Sequence, residues 1–199
     1  MAAPLVLAST SQYRRQLLER LRLPFQVSAP HTDESPLAGE LPHAIALRLA
    51  QAKARAVSGT YPNALIIGSD QVADLDGKPL GKPGNHNSAV QQLQAMSGKR
   101  VVFHTALCVI NSANGRMHIE NVQTIVTLRH LSGDSIDTYL RLDQPYDCAG
   151  SAKVESLGIV LAESIDSADP TALIGLPLIA LARMLRAEGV CPLQGQNTA

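Results

Sequence analysis

Asp70 lies two residues after the end of an apolar run at residues 65–68, and this placement makes it the residue best situated for chemistry in the 199-residue sequence. In open α/β sheets, ligands bind in the crevice beyond the carboxyl ends of the strands. A carboxylate at such a strand end can hold a divalent cation or accept a proton from an attacking water. An aspartate that only shapes a turn is just as common at this position, and the local pattern leaves both interpretations open.

A possible phosphate site lies between a predicted strand at residues 5–8 and a helix predicted to begin at Gln12. Residues 9–11 are Ser-Thr-Ser, and Arg14 and Arg15 follow them. Backbone N–H groups, hydroxyls and the positive end of a helix dipole suit a phosphate, to which Arg14 would add a forked donor. A capped helix with two solvated arginines explains the same pattern. The sequence has no G-x-x-x-x-G-K motif here, so the segment is not a P-loop.

Three further charged residues could join these two sites. Lys53 lies near the apolar stripe of a predicted helix, where a lysine usually extends into solvent. Lys82 lies in a constrained Gly-Lys-Pro loop, from which it could reach a phosphate. Glu34 lies in a polar loop and could join Asp70 at Mg²⁺, which commonly takes one or two carboxylates together with phosphate oxygens and water. A solvated loop is the simpler interpretation of Glu34.

The composition argues against several classes of function. Lys plus Arg and Asp plus Glu number 17 each, so the net charge is zero, which argues against a general nucleic-acid binder. No apolar run approaches the roughly 18 residues of a membrane-spanning helix, so we expect no membrane partner. The 3 cysteines are far apart and form no C-x-x-C pair, so we expect neither a zinc site nor a disulfide framework. A reducing cytoplasm is the expected location.

Helices and strands alternate in the first half of the predicted structure, and a hairpin follows. Turn signals at Asp76-Gly77 and Asn114-Gly115 predict reversals of the chain. This order predicts an α/β fold with a mixed sheet, and the lack of a linker predicts one domain over residues 1–199. Strands are predicted over 5–8, 25–28, 65–68 with an extended continuation to 75, 101–110, 122–129 and 158–161. Helices are predicted over about 12–21, 42–57, 87–96, 132–142 and 177–189.

Short segments spread along nearly the whole chain form a set that is specific as a whole, although no single segment is. They are residues 7–11 with Arg14-Arg15, Arg48-Leu49-Ala50 with Lys53-Ala54, Gly68-Ser69-Asp70, Gly81-Lys82-Pro83, Leu93 with Ser97-Gly98, Ala149-Gly150, and Gly175-Leu176-Pro177-Leu178. In this order, the set resembles the Maf family of nucleoside triphosphate pyrophosphatases. The resemblance implies a mixed twisted sheet with flanking helices and two lobes around a cleft, related to the inosine triphosphate pyrophosphatases.

The resemblance also implies a reaction and its parts. The expected reaction is hydrolysis of a nucleotide between its α- and β-phosphates, with a divalent cation (Mg, Mn or Co), and family members often form homodimers. By position, Asp70 would be the general base that activates water, with Glu34 beside it at the metal or the phosphates. Four side chains would bind the triphosphate: Ser9, Arg14, Lys53 and Lys82. Such cations would neutralise the charge that develops on the diphosphate leaving group.

Three short motifs separate two branches of the family by the base they accept. The dTTP/UTP pyrophosphatases typically carry Ser-Pro-Arg-Arg, Asp-Thr and Gly-Ile-Gln at these places. The corresponding residues here are Gln12-Tyr13-Arg14-Arg15, Asp70-Gln71 and Lys153-Val154-Glu155. This set is more similar to the 7-methyl-GTP pyrophosphatase branch, which has an aromatic residue before the arginines, Gln after the Asp and Glu at the third motif. That branch usually has Pro-Trp where this chain has Gln12-Tyr13.

A physical argument supports the second branch, and it makes Tyr13, Gln71 and Glu155 the candidate specificity residues. Methylation at N7 gives guanine a positive charge, which the face of Tyr13 would attract. Glu155 could accept hydrogen bonds from the N1–H and 2-amino edge of the base. Simple packing of Tyr13 on its helix is the alternative. Two other functions stay open: a dTTP/UTP pyrophosphatase, and a non-catalytic nucleotide-binding regulator of cell division.

Overall fold

The computed structural model describes residues 3–193, which form a seven-stranded mixed sheet and five α-helices. The predicted α/β class, with a mixed sheet and flanking helices, is confirmed. The strands are β1 (Leu5–Ala8), β2 (Phe25–Ser28), β3 (Leu65–Leu75), β4 (Lys78–Leu80), β5 (Arg100–Asn111), β6 (Met117–Leu128) and β7 (Ala162–Ser167). The helices are α1 (Gln12–Glu19), α2 (Pro42–Ser58), α3 (His86–Met96), α4 (Gly133–Asp143) and α5 (Leu178–Ala187).

The sheet runs in the order β2-β1-β3-β5-β6-β7, with β4 attached to the far end of β3. β1 pairs in parallel with β2 and β3, and the remaining pairs are antiparallel. Both predicted hairpins are present, because Leu75 pairs with Lys78 across the first turn and Ile110 pairs with Met117 across the second. The long β3–β5–β6 ladder therefore carries the shorter strands on its edges.

One edge of β3 has a gap in its pairing. Along this edge, β1 pairs with residues 65–68 and β4 pairs with residues 73–75. β5 occupies the opposite edge over residues 65–74. Residues 69–72 therefore lack a strand neighbour on the β1 side, and this gap contains the Ser69-Asp70-Gln71 motif. No described strand fills the gap, so side chains from both faces of the sheet can reach it.

The two faces of the sheet are covered by different helices. On one face, Val6, Ala8 and Ile66 pack against α2 in one apolar cluster. On the other face, Leu7 and Ile67 pack with residues of α1 and α5 in a second cluster. Side chains alternate between the faces of a strand, so Asp70 projects to the α2 face, whereas Ser69 and Gln71 project to the α1/α5 face. A third cluster lies between the sheet and α3 and α4.

Gly68 allows α2 to pack unusually close to β3. A Cβ atom at this position would lie 2.3 Å from the Ala50 carbonyl oxygen and 2.9 Å from the Ala54 Cβ. The small alanines on α2 complete the close approach. Lys53, next to Ala54 on α2, is thereby brought down to the level of Asp70 on the neighbouring strand.

The strand predicted over residues 158–161 is wrong. Leu157–Leu161 forms a 3₁₀ turn, and the strand follows at Ala162–Ser167. The apolar signal belongs to the turn, which buries Gly158 and Leu161, whereas β7 is a largely exposed strand that pairs only with β6 among the strands described. Edge strands bury little of their surface, so the hydrophobic pattern is a weak guide to them.

No helix within residues 3–193 is both long enough and apolar enough to cross a membrane. The prediction of one domain over 1–199 includes residues 1–2 and 194–199, which lie outside the described residues. It stays a prediction.

Candidate active site

A cleft of about 700 Å³ opens at the gap in β3. Its walls come from the β1–α1 connection, the loop before α2, the loop after β4, and the segments around residues 147–155 and 173–175. Every residue that the sequence singled out for chemistry lines this cleft: Ser9, Tyr13, Arg14, Glu34, Lys53, Asp70, Gln71, Lys82 and Glu155. The tertiary structure thus brings together residues that are up to 146 positions apart in the sequence.

Lys53 links the two candidate metal-binding carboxylates. Its Nζ lies 2.6 Å from Asp70 Oδ1 and 2.8 Å from Glu34 Oε1. Lys53 and Asp70 are only 5% and 7% exposed, whereas the side chain of Glu34 is half exposed. The lysine therefore does not extend into solvent as its local pattern suggested, because two carboxylates hold its ammonium group inside the cleft.

Charges in the cleft also act on Glu34 and Arg14. Desolvation opposes the ionisation of Glu34, but its hydrogen bond to Lys53 and the nearby charges of Lys53, Lys82 and Arg14 prevail and lower its pKa. Burial lowers the pKa of Arg14, and the charges of Asp70 and Glu34 oppose that effect. Glu34 is thus held ionised among the cations of the cleft.

The amino end of α1 forms one wall. Ser11 is the N-cap, and its hydroxyl oxygen accepts a hydrogen bond from the Arg14 backbone N–H at 3.4 Å. Ser9 is buried, and its hydroxyl oxygen accepts from the Ser11 N–H at 3.1 Å. The positive end of the helix dipole therefore faces a cleft that also contains arginine and lysine side chains. This wall can bind an anion.

The Arg14 side chain is anchored at the other side of the cleft. Its Nε donates to the Gly175 carbonyl oxygen at 2.8 Å. Gly175 has φ +123°, a backbone conformation that residues with a side chain rarely adopt. The anchor uses Nε, so the two terminal nitrogens of the guanidinium remain available for a forked contact with phosphate.

Gln71 lies in the cleft but turns its amide nitrogen toward protein atoms. Nε2 is 3.0 Å from Thr105 Oγ1 and 3.0 Å from each of the Ala172 and Leu173 carbonyl oxygens. The amide has two N–H donors, and these acceptors account for both. Only the carbonyl oxygen of Gln71 is left to recognise a base.

Tyr13 and Glu155 both line the cleft, and Lys153 lies close to Tyr13. Lys153 Nζ lies over the Tyr13 ring, 5.6 Å from its centroid, and its interaction with Tyr13 raises the pKa of Lys153. Desolvation in the cleft wall raises the pKa of Glu155, and a backbone hydrogen bond and the nearby charge of Lys153 only partly offset this. The sequence analysis gave Lys153 no role, although its place two residues before Glu155 could have suggested one.

Two carboxylates form a minimal donor set for a divalent cation. Asp70 and Glu34 contact the same ammonium nitrogen, so both carboxylates border the same part of the cleft. Within residues 3–193, no group of three or more His, Cys, Asp or Glu side chains is arranged to hold a metal unaided. Such a pair could hold a divalent cation that takes its remaining ligands from phosphates and water.

Comparisons with known protein sequences agree with the resemblance. Relatives named 7-methyl-GTP pyrophosphatase include one from Cupriavidus metallidurans, 57% identical over 93% of this chain and 93% of the relative. Another, from Burkholderia thailandensis, is 60% identical over 93% of this chain and 87% of the relative. A solved structure, the Ham1 protein of Staphylococcus aureus, is 16% identical with a TM-score of 0.44, over 63% of this chain and 71% of that one. Residues 4–188 match the model of the Maf family, described as Maf-like protein, and the chain belongs to this family.

Proposed function

We propose that this protein hydrolyses 7-methyl-GTP to 7-methyl-GMP and diphosphate. The observation that carries the proposal is the Lys53-Asp70-Glu34 cluster, which lies in the same cleft as the amino end of α1 and Arg14. A carboxylate and several cations around one cavity are what hydrolysis of a phosphoric anhydride requires. The names of the relatives at 56–60% identity support the choice of base.

Asp70 acts as the general base in this proposal. Its carboxylate takes a proton from a water molecule while the water oxygen bonds to the α-phosphorus, and the bond from this phosphorus to the bridging oxygen breaks. Diphosphate leaves with the electron pair. Arg14, Lys53 and Lys82, with the hydroxyl of Ser9, bind the phosphate oxygens and neutralise the developing charge. A divalent cation held by Glu34 and Asp70 supplies further positive charge to the phosphates when bound.

Tyr13, Gln71 and Glu155 recognise the base in this proposal. The divalent cation is Mg, Mn or Co. The ring of Tyr13 provides a face for the cationic 7-methylguanine, and Glu155 accepts from the N1–H and 2-amino groups. The Gln71 carbonyl oxygen is a third acceptor. Since Lys153 lies 5.6 Å from the Tyr13 ring centroid, the base is expected on the opposite face of the ring.

A nucleotide panel tests the proposal directly. Diphosphate release is measured for 7-methyl-GTP, GTP, dTTP and UTP with Mg²⁺, Mn²⁺ or Co²⁺ added in turn. The expected result is a clear preference for 7-methyl-GTP that requires a divalent cation. A preference for dTTP or UTP would overturn the base assignment. An inert protein that still binds nucleotide would instead support a regulator of cell division.

Compartment and assembly belong to the same proposal. We expect a cytoplasmic enzyme, since Cys108 and Cys148 are thiols and the substrate is a nucleotide. A homodimer and the lack of a nucleic-acid partner are expected from the family and from the zero net charge. Light scattering of the purified protein measures the assembly, and a monomer at micromolar concentration would contradict the dimer.

A further inference from the structure

Asp70 and Gln71 are neighbours in sequence but serve opposite faces of the sheet. On the α2 face, Asp70 Oδ1 accepts a hydrogen bond from the Lys53 ammonium group. Gln71 Nε2 bonds instead to Thr105 and to two main-chain carbonyls on the α1/α5 face. The Gln71 side chain, next to the proposed base, is therefore held in place by the hydrogen bonds that its amide nitrogen donates.

The partners of Gln71 belong to a short stretch of chain, residues 172–175, which we call the anchor segment. It consists of the 3₁₀ turn Ala172–Ile174 and Gly175. Thr105, directly opposite Gln71 in the β3–β5 ladder, donates to the Ala172 carbonyl at 2.9 Å. Ser69, also on this face, lies 3.0 Å from the Gly175 carbonyl. Three side chains of the sheet thus contact carbonyl groups of the anchor segment.

The far end of the anchor segment orients Arg14. The Gly175 carbonyl accepts from Arg14 Nε at 2.8 Å, and this is the hydrogen bond that the structure gives the Arg14 side chain within residues 3–193. A long side chain with four torsions keeps one direction only if something fixes it. The Gly175 carbonyl is therefore what fixes the direction of the guanidinium. Ser69 contacts this carbonyl directly, and Gln71 and Thr105 hold the anchor segment at the carbonyls two and three residues before it.

We propose that Gln71 is a positioning residue for Arg14. Gln71 holds the anchor segment and so keeps the Gly175 carbonyl in place. This carbonyl in turn holds the Arg14 guanidinium where it can bind the triphosphate. Gln71 then governs phosphate binding for every nucleotide, in addition to whatever its carbonyl oxygen contributes to the choice of base. This inference rests on the proposed function, in which Arg14 binds the triphosphate.

Inorganic tripolyphosphate separates this role from base recognition, because it has phosphates and no base. Its affinity is measured by calorimetry with Mg²⁺ for the wild type, Gln71→Met and Arg14→Lys. Methionine has about the same length as glutamine and lacks its donors. We expect Gln71→Met to weaken tripolyphosphate binding about tenfold. This is the usual contribution of one hydrogen bond to a charged group, here a contact between Arg14 and a phosphate. We also expect kcat/KM to fall at least tenfold for each of 7-methyl-GTP, GTP and UTP, and any further loss that differs between them reports on the Gln71 carbonyl oxygen.

A double-mutant cycle and a matched control complete the test. In an Arg14→Lys background, Gln71→Met should change tripolyphosphate affinity less than about twofold, because the group it acts through is already gone. Glu155→Gln, on the base side of the cleft, should change the ranking of nucleotides and leave tripolyphosphate affinity alone. Additive losses from Gln71→Met and Arg14→Lys, or a changed ranking with unchanged tripolyphosphate affinity, would overturn the proposal.

Two further measurements keep the outcome interpretable. If Gln71→Met fails to fold, Thr105→Val removes another contact to the anchor segment and should weaken tripolyphosphate binding in the same way; unchanged binding by the folded variant would count against the proposal. The calorimetric part does not need turnover. A wild type that binds tripolyphosphate but hydrolyses no nucleotide would therefore contradict the proposed function and still test the role of Gln71.

Discussion

The cleft has two halves that are built differently. The core of the phosphate half (Ser9, Arg14, Lys53 and Asp70) stands on or next to strand ends and helices, and all of its residues but Arg14 are only 4–7% exposed, while Glu34 and Lys82 join it from exposed loops. The base half (Tyr13, Lys153 and Glu155) combines one turn of α1 with the loop that follows α4. Glu155 is exposed and Tyr13 is half-buried. Direct hydrogen bonds at 2.6–3.1 Å fix the first half, whereas a 5.6 Å ring contact joins the second.

The difference indicates a division of work between chemistry and selectivity. Groups that neutralise charge must be fixed to within a fraction of an ångström, and rigid elements do this best. Groups that choose a base can lie on a loop, where substitutions change specificity without disturbing the core. Substitutions in the phosphate half should therefore reduce turnover of all nucleotides, and substitutions in the base half should change their ranking.

The largest effect is expected for Asp70→Asn. The amide cannot take a proton from water, so kcat should fall by about 10³-fold, within the usual range for a general base. Nucleotide binding should change little, because Arg14, Lys53 and Lys82 are kept and the asparagine oxygen can still contact a divalent cation. Single-turnover kinetics and calorimetry measure the two quantities, and turnover at the wild-type rate by the Asp70→Asn enzyme would remove Asp70 from the base role.

Lys53→Met should reduce both activity and stability. Removing the ammonium leaves the buried Asp70 carboxylate and Glu34 without their shared partner, so the free energy of unfolding should fall by about 2 kcal/mol. We expect kcat/KM to fall by about 10²-fold. Lys82→Met, at an exposed position of the same cleft, is the matched control and should weaken substrate binding with no loss of stability in urea denaturation.

Gly68→Ala tests whether the close packing of α2 sets the geometry of the phosphate half. The new Cβ would lie 2.3 Å from the Ala50 carbonyl oxygen, so α2 must move outward and carry Lys53 with it. We expect a loss of about 2 kcal/mol in the free energy of unfolding and about a tenfold loss of kcat/KM for every nucleotide. Gly59→Ala, where a Cβ meets nothing within 4 Å, should change neither quantity.

Glu155→Gln should act on the base half alone. The neutral amide lacks the charge that attracts the cationic 7-methylguanine, so the preference for 7-methyl-GTP over GTP should fall about tenfold, which corresponds to about 1.4 kcal/mol of lost charge attraction. The kcat for both nucleotides should stay within about twofold, because no phosphate contact is lost. Competition assays with both nucleotides give the ratio, and an unchanged ratio would remove Glu155 from the specificity residues.

The smallest effect is expected in the pH dependence of that preference. Glu155 accepts hydrogen bonds best when ionised, and desolvation raises its pKa above the ordinary glutamate value. As the pH falls, the KM for 7-methyl-GTP should therefore begin to rise at a higher pH than an ordinary glutamate would give. UTP, whose terminal phosphate titrates in the same way, is the control. The Glu155→Gln enzyme should show the UTP profile with both nucleotides.

The sequence predicted the elements of the phosphate half better than their contacts. Strand β1, helix α2 and the β3 motif all follow from apolar periodicity and from turn residues, which are local signals. The contact of Lys53 with Asp70 was not predictable from periodicity, which placed the lysine in solvent. The distance depends on how closely α2 approaches β3, and only the packing of Gly68 against Ala50 and Ala54 determines that.

The base half and the sheet edge were harder to predict. The 3₁₀ turn at Leu157–Leu161 carries an apolar pattern that suggested a strand, and the real strand β7 carries little such pattern. The partners of Gln71 were also out of reach. Thr105 stands opposite Gln71 only because of the β3–β5 register, and the anchor segment arrives from 101 residues further along the chain.

The sequence by itself determined which groups are available for the phosphates: a carboxylate after a buried strand, a capped helix with an arginine, and two lysines, whereas the tyrosine and glutamate suited to a cationic base came from the family resemblance. Residue types and short-range spacing are enough for this, because propensity, capping and periodicity are local properties. Only the tertiary structure decided what each group faces. It placed the gap in β3, turned Asp70 and Gln71 to opposite faces, and put Lys53 between two carboxylates, since these relations depend on register and on the approach of helix to sheet.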